Sequence, residues 1–523
     1  MMTIVKKIFF LFHIFFSLLF AQLTRPERSN YEETSRYQDV IDFISTLKID
    51  GTTLKLSWLG YSTNGKHLPM FFYGDIPDVK PETIRKSGKL VVYIQGNIHA
   101  GEVEGKEALL ELLRELKEGK HSEWRRRLVL MIVPILNADG NDNISLTNRP
   151  YQHGPIAGMG QRANGQGLDL NRDHMKLETP EVRAFVKMLN DYDPHVTIDL
   201  HTTNGSFHGY HITYSFGLNP VIDTTLDNFT RGIFFPKVEQ KMRSQKWRLH
   251  RYGDYLDKTP AGKPGYFFWA HEPRYNSNYV GFRNRFAILS EAYSYITFKQ
   301  RIAATKALVT NILDIANGNS LPIKEAIQRA DESAQSLAMF DSLGVRAEIV
   351  ESNTAQEIIL APAKEGRNPY SGLPMYLMNE DSLRTIVTSE FYATQATRKA
   401  KVPSYYFIPD SLQRIVTLLA DHGIRCDTVK VASKRKVQRF VIRENKEATR
   451  EFQKHKMRLL EGTYETVEME IPAGTIIVGM NQPLSRLAFY LLEPESEDGI
   501  VAWNFVDPYF GDGKYYPITK ITE

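Results

Sequence analysis

Three apolar runs, Leu90-Val91-Val92-Tyr93-Ile94, Leu128 to Leu136 and His195 to Leu200, constrain the fold most. They read as buried strands, and helical patterns separate them. From Glu102 to Leu116, apolar residues recur at Ala108, Leu109, Leu112, Leu113 and Leu116, and Gly119 closes the pattern. Thr179-Pro180-Glu181 reads as an N-cap with proline at the first helical position, opening a helix to about Leu189. Phe282 to Leu289 resumes strand character, and Phe298 to Ala316 carries Ile302, Leu308, Ile312 and Ile315 on one helical face. Alternation of this kind predicts an α/β fold, a mixed and mostly parallel sheet with helices on both faces. Ahead of it, Tyr37 to Ile44 reads as a short amphipathic helix and Leu54 to Phe72 as a hairpin about Ser62-Thr63-Asn64-Gly65. Pro134 predicts an edge or bulged position in the second buried strand. Residues 205–278 read as irregular and rich in Tyr, Phe and His.

The chain is 523 residues long, enough for more than one domain. Asn317-Gly318-Asn319-Ser320 marks a boundary, giving a main domain over 22–318 and a smaller α+β or β-rich C-terminal accessory domain over 319–523. The latter has a helix near Asp410 to His422 and strands at Gln438–Ile442 and Gly474–Val478, and a structural or substrate-shaping role is expected of it. A net charge of +4 with no basic tract interleaved with aromatics argues against nucleic-acid binding. Cys426 is the only cysteine, so no intrachain disulfide can form. Lys6 and Lys7 precede the apolar run Ile8 to Phe20, broken by His13 and Ser17 and followed by Ala21-Gln22. That run is short for a bilayer span and fits a signal-peptide core over 1–21, although Leu19 departs from the small-residue rule. The expectation is an exported protein, periplasmic or extracellular, with no stable membrane span after processing. The other reading of the run is an uncleaved anchor.

Gly96-Asn97-Ile98-His99-Ala100-Gly101-Glu102 joins the first buried strand to its helix. A histidine and a carboxylate three apart at such a turn can face one point, which suits two ligands of a zinc ion. A His₂Glu set with an open fourth position is a catalytic type. Ligands of doubly covered sheets bind beyond the carboxyl ends of the strands, where His99, His201 and Glu291 all fall. Taken singly, His99 is also readable as a turn residue, His201 as a core histidine and Glu291 as a helix-start carboxylate.

The ordered motifs His99-x-x-Glu102, Asp169-Leu170-Asn171-Arg172, Asp199-Leu200-His201 and Leu289-Ser290-Glu291 resemble those of the zinc metallocarboxypeptidases, the peptidase M14 family, in a secreted bacterial type. The resemblance covers roughly residues 55–315, beginning with Gly60-Tyr61-Ser62 and Gly65-Lys66. It implies a zinc carboxypeptidase-like catalytic domain holding one zinc per chain through His99, Glu102 and His201. Glu291 would be the general base, in an apolar setting that raises its pKa. Arg162, nine residues before Asn171, would steady the developing oxyanion. Asn171 and Arg172 would grip the substrate's terminal carboxylate, with Asp173 orienting the guanidinium. Asp169, on one strand face with Asn171, would orient the first histidine. Of the tyrosines that could close over the substrate, Tyr266 and Tyr275 are favoured without a choice between them. The segment about Leu492-Glu493-Pro494-Glu495-Ser496-Glu497-Asp498-Gly499 resembles one attached to some members of the family. The leading function is a secreted exopeptidase that cleaves the last bond of peptides with a free C-terminal carboxylate. The alternatives are a zinc amidohydrolase acting on cell-wall peptides or N-acyl amino acids, and a non-catalytic binding protein on a peptidase fold.

Overall fold

In a computed structural model, residues 23–522 are described, apart from 48, 50, 204, 338–341, 353 and 512. The expected signal peptide over 1–21 lies outside the described residues. Ten strands run through the first part of the chain: β1 (Leu54–Tyr61), β2 (His67–Tyr73), β3 (Leu90–Gly96), β4 (Leu128–Val133), β5 (Val196–Thr202), β6 (Ile212–Phe216), β7 (Leu249–Arg251), β8 (Asp254–Leu256), β9 (Gly265–Phe267) and β10 (Phe286–Ala292). Eight form one sheet in the order β1-β2-β4-β3-β5-β10-β6-β7. Its centre, β4-β3-β5-β10, is parallel, and β1-β2 and β6 are antiparallel additions. The mixed, mostly parallel sheet is as expected from the alternation of strands and helices.

Alternation along the strands places helices on both faces. Leu200 of β5 meets the helix Glu104–Lys117, and the approach is so close that a Cβ on Gly105 would lie 2.6 Å from Leu200 Cβ. Tyr93 of β3 points the other way and packs its ring on Phe185 of the helix Pro180–Tyr192. Thr179 caps that helix, its hydroxyl accepting from the Val182 amide. Leu90, Val92 and Ile94 are wholly buried, each such side chain contributing about 1.5–3 kcal/mol.

Two expectations require correction. β4 lies inside the sheet and stops at Val133, one residue before Pro134, because proline has no N–H to continue the ladder. Residues 205–278 are more regular than expected: besides β6 to β9 they form the helices Thr224–Phe229 and Phe235–Ser244. Aromatic density there serves packing, as in the stacked rings of Tyr214 and Phe235 at 3.7 Å.

The C-terminal region is rich in strands. A six-stranded sheet contains the long hairpin Ser433–Glu447 with Arg458–Ile471, and the wholly buried helix Ser485–Leu492 packs beside it within the same apolar core. That core continues from the first sheet into residues as late as Ile518. Glu390–Phe391 adds a strand in parallel to β9, so the two regions share a small sheet.

Candidate active site

The turn after β3 carries His99 and Glu102, with Asn97 at φ 66°. Asn137, which opens the long loop 137–167 after β4, ties it down: its Nδ2 donates to the carbonyls of Ile98 and Arg162. β5 delivers Asp199 and His201 to the same face of the sheet, and β10 delivers Glu291 in register with His201. Neighbouring residues on adjacent parallel strands point the same way, which brings these side chains together.

His99 Nδ1 lies 3.0 Å from Glu102 Oε1, His201 Nδ1 lies 2.9 Å from Glu102 Oε2, and the two Nδ1 atoms are 3.2 Å apart. Three donors about 2 Å from one tetrahedral ion would themselves be separated by about 3.3 Å, so the set fits zinc in size and chemistry. Each histidine turns its other nitrogen to a carboxylate. His99 Nε2 is 3.0 Å from Asp169 Oδ1, and His201 Nε2 is 2.9 Å from Asp199 Oδ2. This arrangement leaves both Nδ1 atoms facing the common point.

The electrostatics favour charge separation. Burial pushes the Glu102 carboxyl up, but Arg149, His99 and His201 outweigh it and hold Glu102 well below the usual carboxylate range. Asp169 is likewise raised by burial and lowered further by His99, Arg162 and Arg172. Glu291 behaves oppositely: burial pushes it up to about 8, against the opposing pull of His201. Its Oε2 is buried with no hydrogen-bond partner among the described residues.

A cleft of about 160 Å³ gathers His99, Glu102, His201, Glu291, Arg162, Asn171 and Arg172, walled by Tyr252, Phe268, Trp269, Ala270, Tyr275, Ser277 and Leu289. Arg162 Nε donates to Asp169 Oδ2 at 2.8 Å, and its Nη1 is 3.5 Å from Glu102 Oε1. The Arg172 guanidinium stands 4.2 Å from the Tyr275 ring centroid, and Asn171 Oδ1 accepts from the Asn276 amide at 2.8 Å.

Three expectations about these side chains change. Asp169 and Asn171 are not on a strand: residues Leu170–Arg172 form a 3₁₀ turn, and Asp169 caps it by accepting from the Asn171 amide at 2.9 Å. Asp173 does not orient Arg172, since it accepts from Thr179 and Glu178 and pairs with Lys176. Tyr266 is outside the cleft, its hydroxyl donating to the Arg251 carbonyl, while Tyr252 and Tyr275 line it.

Two residues take roles that the sequence reading does not assign. Asp199 stands in the motif Asp199-Leu200-His201, and its place two residues before His201 on one strand face is the signal for its role. Arg149, which donates to Glu102 Oε1 and to the carbonyls of Thr202 and Thr203, comes from the long loop and carries no local signal.

A family model described as zinc carboxypeptidase, Peptidase_M14, matches residues 41–228. Carboxypeptidase 2 of Trichophyton equinum is 22% identical over 498 residues, an alignment covering 89% of this chain and 83% of that protein, and so reaching into the C-terminal region. The carboxypeptidase N catalytic chain of Mus musculus is 32% identical over 127 residues, 23% of this chain and 26% of that one. Among solved structures, the metallo-carboxypeptidase from Pseudomonas aeruginosa aligns at a TM-score of 0.41 with 17% identity, over 56% of this chain and 71% of that chain.

Proposed function

We propose that this chain, whose residues 41–228 match the zinc carboxypeptidase (peptidase M14) family model, is an exported exopeptidase that removes the last residue of peptides bearing a free C-terminal carboxylate. His99, Glu102 and His201 would hold one zinc ion. When bound, zinc supplies a Lewis acid that lowers the pKa of water and polarises a carbonyl. Glu291 takes a proton from the attacking water at its unpartnered oxygen and returns it to the leaving amine nitrogen. Arg162 hydrogen-bonds the oxygen on which negative charge develops. Asn171 and the planar fork of Arg172 fix the terminal carboxylate, and so choose the bond to be cut. Asp169 holds His99 in place while its other oxygen accepts from Arg162.

One observation supports this reading above the others. A convergent His–Glu–His set, a buried carboxyl with a free oxygen, and an Asn–Arg pair share one small cleft. The domain limits of 22–318 and 319–523 belong to the same proposal. Export rests on the Lys6–Lys7 and Ile8–Phe20 pattern; among the described residues no helix is long and apolar enough to cross a membrane. A mature N-terminus at or near Gln22 is expected by mass spectrometry, and an intact Met1 would favour the anchor.

The test is a product ladder. A peptide of known sequence, incubated with the purified protein, should lose single residues from its C-terminus. A chelator should stop the reaction and added zinc should restore it. Internal or N-terminal cleavage, or hydrolysis confined to N-acyl amino acids, would overturn the exopeptidase reading.

A further inference from the structure

The C-terminal region reaches the cleft wall through Asp498, which is wholly buried. Its Oδ2 accepts from the Arg274 amide at 2.6 Å, and its Oδ1 pairs with Arg274 Nε at 3.1 Å and accepts from Trp503 Nε1 at 2.7 Å. The Arg274 guanidinium also lies over the rings of Trp503 and Phe452, at 5.2 and 5.6 Å from their centroids. Three residues earlier, His271 Nε2 is 3.1 Å from Glu497 Oε1. Both ends of the segment 271–274 are therefore pinned by the C-terminal region.

From Arg274 the chain runs straight to the Asn–Arg pair. Tyr275 places its ring against the Arg172 guanidinium, and the Asn276 amide donates to Asn171 Oδ1. His174 locks the segment from behind: its Nδ1 is 3.1 Å from the Arg274 carbonyl oxygen and its Nε2 is 3.1 Å from Asn276 Nδ2. An arginine on a long flexible stem recognises a carboxylate well only when its fork is aimed beforehand. Stacking on an aromatic ring is one way to aim it. A misplacement of about 1 Å in such a group can cost about 10²-fold in rate.

We propose that Asp498 is a positioning residue for recognition of the substrate carboxylate: by fixing Arg274 it sets Tyr275 and Asn276 against Arg172 and Asn171. The C-terminal region then supplies part of the preference for a free C-terminus. This rests on the reading of Asn171 and Arg172 given under Proposed function. A purely structural role for the Asp498–Arg274 pair would instead lower stability and slow all substrates alike.

The experiment is a double-mutant cycle on the full-length, zinc-loaded enzyme. It measures kcat/KM on matched free-acid and amidated peptides for the parent, Arg172→Ala, Asp498→Asn and the double variant. Arg172→Ala is expected to abolish most of the acid-over-amide preference. Asp498→Asn is expected to reduce that preference about tenfold, mainly through KM on the acid, and to reduce it little further once Arg172 is gone. Arg274→Gln breaks the same pair from the other side and leaves its backbone amide on Asp498, so it carries the test if Asp498→Asn does not fold. Parent-like preference in Asp498→Asn or Arg274→Gln, with the preference lost in Arg172→Ala, would overturn this inference alone. An equal loss in both backgrounds would overturn it too. A preference that survives Arg172→Ala would overturn the carboxylate-pair reading and the inference with it.

Discussion

His201 turns its Nε2 to Oδ2 of Asp199, 2.9 Å away and two residues back on β5. Asp199 Oδ1 in turn accepts from Gln95 Nε2 on β3 at 3.0 Å, so the carboxylate is fixed before any metal arrives. A histidine held in this way presents its other nitrogen in one orientation. Asp199→Ala should therefore weaken zinc binding by about 10–100-fold while the remaining ligands still bind. Competition against a chelating dye measures this directly. Parent-like affinity would mean that the ring is oriented by something else.

Burial of Glu291 suits the base role proposed for it. Desolvation pushes its carboxyl up to about 8 against the pull of His201, and a bound cation would lower it further. Glu291→Gln keeps the shape and gives up the proton acceptor. The expected variant binds zinc as the parent does and loses turnover by at least about 10²-fold. Zinc content and kcat, measured on the same preparation, check both halves; near-parent kcat would move the base to another residue.

Stability should depend on pH through His422, where the C-terminal region meets the first sheet's helices. Its Nδ1 is 2.7 Å from Tyr279 Oη and its Nε2 3.3 Å from the Met175 carbonyl oxygen. Burial, helped by the nearby charge of Arg283, pushes the imidazole from 6.5 down to about 3. As pH falls below 6.5 the unfolded chain gains a proton that the folded protein refuses. The stability contributed by the neutral ring is full above pH 6.5 and is lost progressively as pH falls towards about 3. His422→Gln should lower Tm at neutral pH, through the altered contact with Tyr279, and flatten its decline between about pH 6.5 and about pH 4. An unchanged slope would show that other groups govern acid unfolding.

Much of this site could be read from single segments, because the relevant signals are local. His99 and Glu102 fall on a strand–turn–helix pattern, and Asp199, His201 and Glu291 fall at strand ends whose side-chain parity follows from a period of two. Asp169 was misread for an equally local reason. Leu168-Asp169-Leu170 alternates like a strand, but a short carboxylate next to free amides competes with the ladder by capping a turn. Sequence alone does not choose between Tyr266 and Tyr275, since the choice depends on tertiary placement: Tyr266 is paired into β9 opposite Tyr255, while Tyr275 precedes the helix Asn276–Phe282 and stacks on Arg172. Arg149 depends on the path of the whole loop. The Asp169 amide donates to Gln453 Oε1 at 2.9 Å across 284 residues, a tertiary contact no local pattern encodes.

The account as a whole turns on which end of the substrate the cleft reads. Arg172, aimed by Tyr275 and set beside Asn171, should make a free carboxylate the preferred terminus. Arg172 is partly buried and already donates to the Asn171 carbonyl, so an amidated peptide leaves the rest of its fork without a carboxylate, at a cost of the order of 2–5 kcal/mol. The most direct measurement is kcat/KM of the unmodified, zinc-loaded protein on one peptide prepared as the free acid and as the C-terminal amide. The predicted result is cleavage of the last bond of the acid at least about 30-fold faster than of the amide. Equal values for the two peptides would contradict the carboxypeptidase reading of Asn171 and Arg172.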